Sequence, residues 1–188
     1  MLSSANPFVF LIDTLAGLYI GAVMVRFLLQ MVRADFYNPI SQFLVKITNP
    51  VLIPTRRFVP SVGSVDTASL VVLFVLQLAT LFLLTLISGA PIPPFTLVLY
   101  AIVSLISLAF SVFIFSLIIQ AILSWVQTGQ QNPVTTLLHN LNEPILSRVR
   151  KYIPPMSGID LSVMAAIIGL LFVKQSIGWF IFQLFGIH

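Results

Sequence analysis

Four stretches of this chain are too apolar and too long to belong to a water-soluble core. They are Val9–Val32, Ala68–Ile87, Phe95–Val126 and Leu161–Phe185. Each reaches the ~20 residues a helix needs to cross ~30 Å of hydrocarbon. Inside a bilayer every backbone N–H and C=O must be satisfied within the protein, which leaves helices or closed barrels. No alternation of apolar and polar residues suggests a barrel. The sequence therefore predicts an all-α membrane protein with four transmembrane helices. A charged fraction of only 7% agrees with this, against the quarter or so usual for soluble domains. The twelve prolines lie outside these runs or at their edges, so each run reads as an unbroken helix.

The connections between the runs carry the second constraint. Asn38-Pro39, Leu44, Pro50, Leu52, Arg56, Pro60 and Asp66 recur, 94 positions later and without a gap, as Asn132-Pro133, Leu138, Pro144, Leu146, Arg150, Pro154 and Asp160. A period of half the chain means two copies of one unit. The expected units are residues 1–94 and 95–188. The first has spans at about 9–32 and 68–87 with a connection at 33–66. The second has spans at about 95–126 and 161–185 with a connection at 127–160.

Charge sets the expected orientation. Arg33, Lys46, Arg56, Arg57, Arg148, Arg150 and Lys151 all fall in the two long connections, and the segments on the other side carry no Lys or Arg. The positive-inside rule then puts both connections in the cytoplasm and both termini outside. Two units with two spans each insert the same way round, as parallel repeats.

Within the connections, Ile40, Phe43, Leu44, Ile47 and Val51 follow helical spacing, and Val134, Leu137, Leu138, Leu141 and Ile145 repeat the pattern. Asn38 and Asn132 before proline fit N-caps with proline at the first helical position. Each connection is expected to hold an interfacial amphipathic helix, a break at Pro50 or Pro144, a second short helix, and a turn after Pro60 or Pro154.

Asp35-Phe36-Tyr37-Asn38-Pro39, Asn49-Pro50 and Pro54-Thr55-Arg56-Arg57-Phe58-Val59-Pro60 together resemble the YggT family of small integral membrane proteins. The second copy matches in Glu143-Pro144, Arg148-Val149-Arg150-Lys151-Tyr152-Ile153-Pro154 and Gly158-Ile159-Asp160. The resemblance covers essentially the whole chain. It implies a bacterial inner-membrane location and links to osmotic stress tolerance, to division or nucleoid organisation, and to cytochrome b6 maturation in chloroplast relatives. No single biochemical activity comes with it.

The candidate residues each carry two readings. Asp66 and Asp160 precede returning helices and read first as N-caps; the alternative pairs them with Arg56 and Arg150 in a charged cluster read by a partner. Arg56, Arg57, Arg148, Arg150 and Lys151 read as anchors for anionic headgroups, at about 1 kcal/mol per charge, or as a shaped contact for lipid or a protein partner. Charges within the spans are costly, so partners are expected. Lys174 lies about 21 Å from the Asp160 end of its run and Asp13 about 8 Å from the opposite edge, depths that match and predict an ion pair between the first and fourth spans. Arg26, about 10 Å from the edge at Arg33, is expected to snorkel toward headgroups. Gly17 and Gly21 form a GxxxG pair that suggests packing within the bundle.

Enzymatic chemistry finds little material. With no cysteine there is no disulfide or thiolate metal site, and the two histidines, His139 and His188, are expected on opposite sides of the membrane. No phosphate-binding loop, nucleophile elbow or paired-histidine metal motif is present. No cofactor is expected. A pI of 9.9 alone does not argue for nucleic acid, because membrane topology accounts for the basic residues. The leading expectation is a membrane assembly or scaffold factor that engages anionic lipid and a protein partner or further copies of itself. The alternative is a small channel or transport component.

Overall fold

A computed structural model describes residues 6–63, 65–89, 92–126, 132–153 and 160–185. They form six helices: α1 (Pro7–Met31), α2 (Pro39–Phe58), α3 (Thr67–Ser88), α4 (Pro94–Val126), α5 (Pro133–Arg150) and α6 (Leu161–Leu184). Of these, α1, α3, α4 and α6 are long and apolar enough to cross a membrane. The long fourth run is one continuous helix of 33 residues.

Asparagine followed by proline starts three of the helices. Asn6, Asn38 and Asn132 each accept the amide of the residue two positions on, and Pro7, Pro39 and Pro133 occupy the first turn. Proline costs nothing there, since its missing N–H would be unpaired anyway. α3 stops at Gly89, whose φ of 65° is the left-handed conformation that glycine adopts without steric cost.

α1 packs on α3 and α4, and α4 also packs on α3 and α6. α2 lies against α1 and α3, while α5 lies against α4 and α6. The two shorter helices meet at their starts, where Asn38 Nδ2 donates to the Pro133 carbonyl at 2.7 Å. At the opposite end of the bundle, Phe95 stacks edge-on against Phe185 at 5.6 Å between ring centroids, and Tyr100 lies 5.1 Å from Phe182. The main core joins α1 to α2, α3 and α5 through Val23, Phe27, Leu44, Leu52, Leu73 and Leu137. A smaller one gathers Leu117, Leu146 and Ala166.

Two expectations change here. No break occurs at Pro50 or Pro144: α2 runs through Pro50 and Pro54, and α5 runs through Pro144. A proline inside a helix costs about 3 kcal/mol or more. α2 is held from outside at this turn by Arg26, which bonds Thr48 Oγ1 at 2.5 Å and Asn49 Oδ1 at 2.9 Å, immediately before Pro50. Secondly, a methyl group placed at Gly17 or Gly21 would meet no heavy atom within 4 Å, so this GxxxG is not a close helix contact among the described residues.

Candidate functional site

The chemistry of the molecule collects where α2 and α5 meet the ends of the long helices, and it is built twice. In the first unit Arg56, in the last turn of α2, pairs with Asp66, the N-cap of α3. Asp66 also accepts the Ser69 hydroxyl at 2.7 Å and the Ser69 amide at 3.4 Å. In the second unit Arg150 Nη2 lies 2.9 Å from Asp160, which caps α6 by accepting the Ser162 amide at 3.0 Å. Capping and ion pairing coexist in one carboxylate in both units. Burial pushes both carboxyls up, but bonds from Arg56 and Ser69, and from Ser162 and Arg150, outweigh it and hold both below the usual carboxylate range.

The copies differ in their surroundings. Asp66 is 3% exposed, whereas Asp160 keeps 33% of its side chain in the open. Arg150 is also shared with Glu143, whose oxygen lies 3.2 Å from Nη1. Glu143 stands where the first unit has Asn49.

A second repeated contact ties each shorter helix to the long helix before it. Arg26 of α1 reaches Thr48 and Asn49, and also the Val45 carbonyl at 3.4 Å. Ninety-four positions on, Gln120 of α4 accepts from Asn142 at 2.7 Å, and Ser116 donates to Asn142 Oδ1 at 2.6 Å. Arg26 is thus 4% exposed and bonded to protein, and it does not snorkel to headgroups. The direction in which it faces was not legible in the sequence. The readable signal was that Arg26 and Gln120, and Thr48 and Asn142, are polar at equivalent positions in both copies.

The expected Asp13–Lys174 pair is absent. α1 and α6 share no contact among the described residues, and Lys174 Nζ instead donates to Ser111 Oγ at 2.7 Å on the intervening α4. Asp13 is exposed on α1. Equal depth does not make two helices neighbours. Asp13→Asn and Lys174→Gln are therefore expected to be additive in thermal denaturation, with a coupling below about 0.5 kcal/mol in a double-mutant cycle.

The other basic candidates point away from the protein. Arg57, Arg148 and Lys151 are exposed, as are Pro39, Pro50, Pro60, Pro133 and Pro144. Pro154 lies outside the described residues. Arg57 and Lys151 are each followed by an aromatic side chain: Phe58 is 85% exposed and Tyr152 87%. The basic–aromatic step is repeated at 94 positions, at the end of α2 and just past the end of α5.

Comparison with known proteins agrees with the duplication. The family model CCB3/YggT matches twice, at residues 5–87 and 99–181. An uncharacterized protein of Pseudomonas aeruginosa is 42% identical over 164 residues, 86% of this chain and 83% of its own. One of Vibrio alginolyticus is 42% identical over 175 residues, 92% of this chain and 94% of its own. Uncharacterized protein YggT of Escherichia coli is 34% identical over 173 residues, 92% and 89% of the two chains. No solved structure matches the chain. Two copies of one helical unit, both matched by one family model, establish that the chain belongs to the CCB3/YggT family.

Proposed function

We propose that the protein is a membrane assembly or scaffold factor of the bacterial inner membrane, with its two units inserted in parallel. In this reading α2 and α5 lie at the cytoplasmic surface, with both termini outside, and present their ends to anionic lipid and to a protein partner. The observation that carries it is the divided use of neighbouring cations. Arg56 and Arg150 turn inward onto aspartates, while Arg57-Phe58 and Lys151-Tyr152 stand clear of the protein in both copies. A basic group beside an exposed aromatic suits the headgroup layer, where the ring enters the apolar boundary and the cation meets phosphate. Such a pair also suits a partner's membrane-proximal surface, because aromatic and arginine side chains dominate interface energetics.

The chain has no cysteine, so single-cysteine labelling gives a clean test of side. Phe58→Cys and Tyr152→Cys are expected to react with a membrane-impermeant maleimide only from the cytoplasmic face. Function is tested by gentle extraction of the tagged protein and measurement of what accompanies it, and in what ratio. A stoichiometric membrane partner, lost when Arg57, Phe58, Lys151 and Tyr152 are all changed to serine in a chain that still folds, supports the scaffold. A homo-oligomer without a partner, conducting ions in liposomes, overturns it.

That second outcome has its own structural motive. A cavity of about 480 Å³ between α4 and α6 is lined in part by Ser107, Lys174, Gln175 and Gln183. These polar groups lie within helices long and apolar enough to cross a membrane, and they are where a transport component would hold a hydrophilic solute.

A further inference from the structure

Beside the Arg56–Asp66 pair is a cavity of about 620 Å³, with Arg26, Gln30, Arg56, Ser61 and Asp66 as its polar lining. Its size falls in the range of small-molecule sites. Arg26 is the unusual member. Although 4% exposed, it uses only one of its three nitrogens on the described residues: Nη1 meets Val45, Thr48 and Asn49. Nε is sealed from solvent without an acceptor, and no described residue accepts from Nη2. With Nε sealed behind it, Nη2 is the Arg26 nitrogen left to meet a ligand, and a guanidinium N–H makes a strong charge-assisted bond to a carboxylate or phosphate oxygen. Arg56 likewise gives Asp66 a single nitrogen among the described residues.

The charge around this cavity does not balance. Two guanidinium groups, Arg26 and Arg56, face one carboxylate, Asp66. A buried cation without full compensation costs several kcal/mol, and hydrogen bonds to neutral Thr48 and Asn49 supply no opposite charge. The second unit is an internal comparison. There Gln120 replaces Arg26 and Glu143 replaces Asn49, so that one guanidinium, Arg150, faces two carboxylates, Glu143 and Asp160. The same fold element has an excess positive charge in the first copy, whereas in the second the carboxylates are at least equal to the cations, with His139 3.8 Å from Glu143 as well.

We propose that the first-unit cavity binds a phosphate group, held between Arg26 and Arg56, and that the second unit has no such site. Gln30 and Ser61 supply further donors to phosphate oxygens. The group comes from an anionic lipid headgroup or from a soluble phosphate compound; the chemistry at the arginines is the same. The proposal does not depend on the exposed Arg57-Phe58 and Lys151-Tyr152 ends, so it stands or falls apart from the scaffold reading.

The test uses the full chain, purified and delipidated in a non-ionic detergent, with thermal midpoint as the readout. One arm titrates inorganic phosphate against chloride at matched ionic strength. The other titrates phosphatidylglycerol against phosphatidylcholine in mixed micelles. A saturable rise with phosphatidylglycerol alone assigns the lipid headgroup, and a rise in both arms assigns the phosphate group itself. Arg26→Gln, which copies the second unit, is expected to weaken the apparent affinity about tenfold or more. Ser61→Glu, which places a carboxylate at the exposed rim, is expected to do the same without touching the core. Lys46→Gln, an exposed position on α2 that does not line the cavity, is expected to change nothing. If Arg26→Gln does not fold, Ser61→Glu decides alone. No shift in either arm, or equal shifts in the wild type and Ser61→Glu, overturns the proposal.

Discussion

Asp66→Ala is expected to lower the stability of the detergent-purified protein by about 2–4 kcal/mol, the sum of a lost helix cap and a lost charged hydrogen bond. The carboxylate, 3% exposed, caps α3 through Ser69 and is the described partner of Arg56; water cannot replace it at the buried cap, while the Arg56 side chain, 38% exposed, can be rehydrated. Asp160→Ala is expected to cost about 1–2 kcal/mol, because that carboxylate is a third exposed and Arg150 keeps Glu143. Thermal melts of the two variants check the ordering; equal losses would contradict it. The same pair sets the acid limit. Both carboxyls titrate below their ordinary value in the folded protein, so the unfolded chain takes up protons first. Their contribution is complete above the unfolded value and disappears as pH falls through the folded one. Stability is therefore expected to be level from neutrality to about pH 5 and to fall below it. Asp66→Ala should make that decline shallower.

Leu52→Ala is expected to be at least as damaging, at about 3–5 kcal/mol, with Leu146→Ala nearer 2–3 kcal/mol. Both side chains are 0% exposed and stand at equivalent positions of α2 and α5. Between membrane helices the driving force is packing contact more than release of water, and a cavity forfeits that contact outright. Leu52 belongs to the large core shared with α1 and α3, which cannot collapse around a missing side chain. Leu146 sits in a cluster of three buried residues, where partial collapse is easier. Leucine to methionine at either site should cost less than about 1.5 kcal/mol. Guanidinium-free thermal melts measure all four variants. A loss below 1 kcal/mol at Leu52, on the order of a surface substitution, would mean that α2 rests on the bundle without docking into it.

The spans were readable because twenty apolar residues in a row have one physical outcome. Asn38 and Asn132 were readable as caps because proline after an Asn, at the head of an apolar-periodic run, is a local signal; Asn6-Pro7 carries the same signal and was not read. What failed were two readings that depend on rotation and adjacency, the Asp13–Lys174 pair and the direction of Arg26. Depth along a helix follows from 1.5 Å per residue, so Asp13 and Lys174 could be matched in height. Nothing in the residues told which helix stood between them. Arg26 was given the wrong azimuth, since its partners lie in α2, a helix whose docking depends on Leu44, Thr48 and Leu52 facing inward. Pro50 and Pro144 were read as breaks because local propensity favours one there. Contacts from a neighbouring helix outweighed that preference, as Arg26 shows for α2.

The uneven fit of the two halves has a consequence for symmetry. α3 packs on α4, but α6 has no matching contact with α1 among the described residues. A closed two-fold pair would require both. The halves are therefore joined head to tail, and the joint leaves two unlike flanks, one on α1 and one on α6. The duplicated molecule has a front and a back, as an arrow does and a two-fold dimer does not.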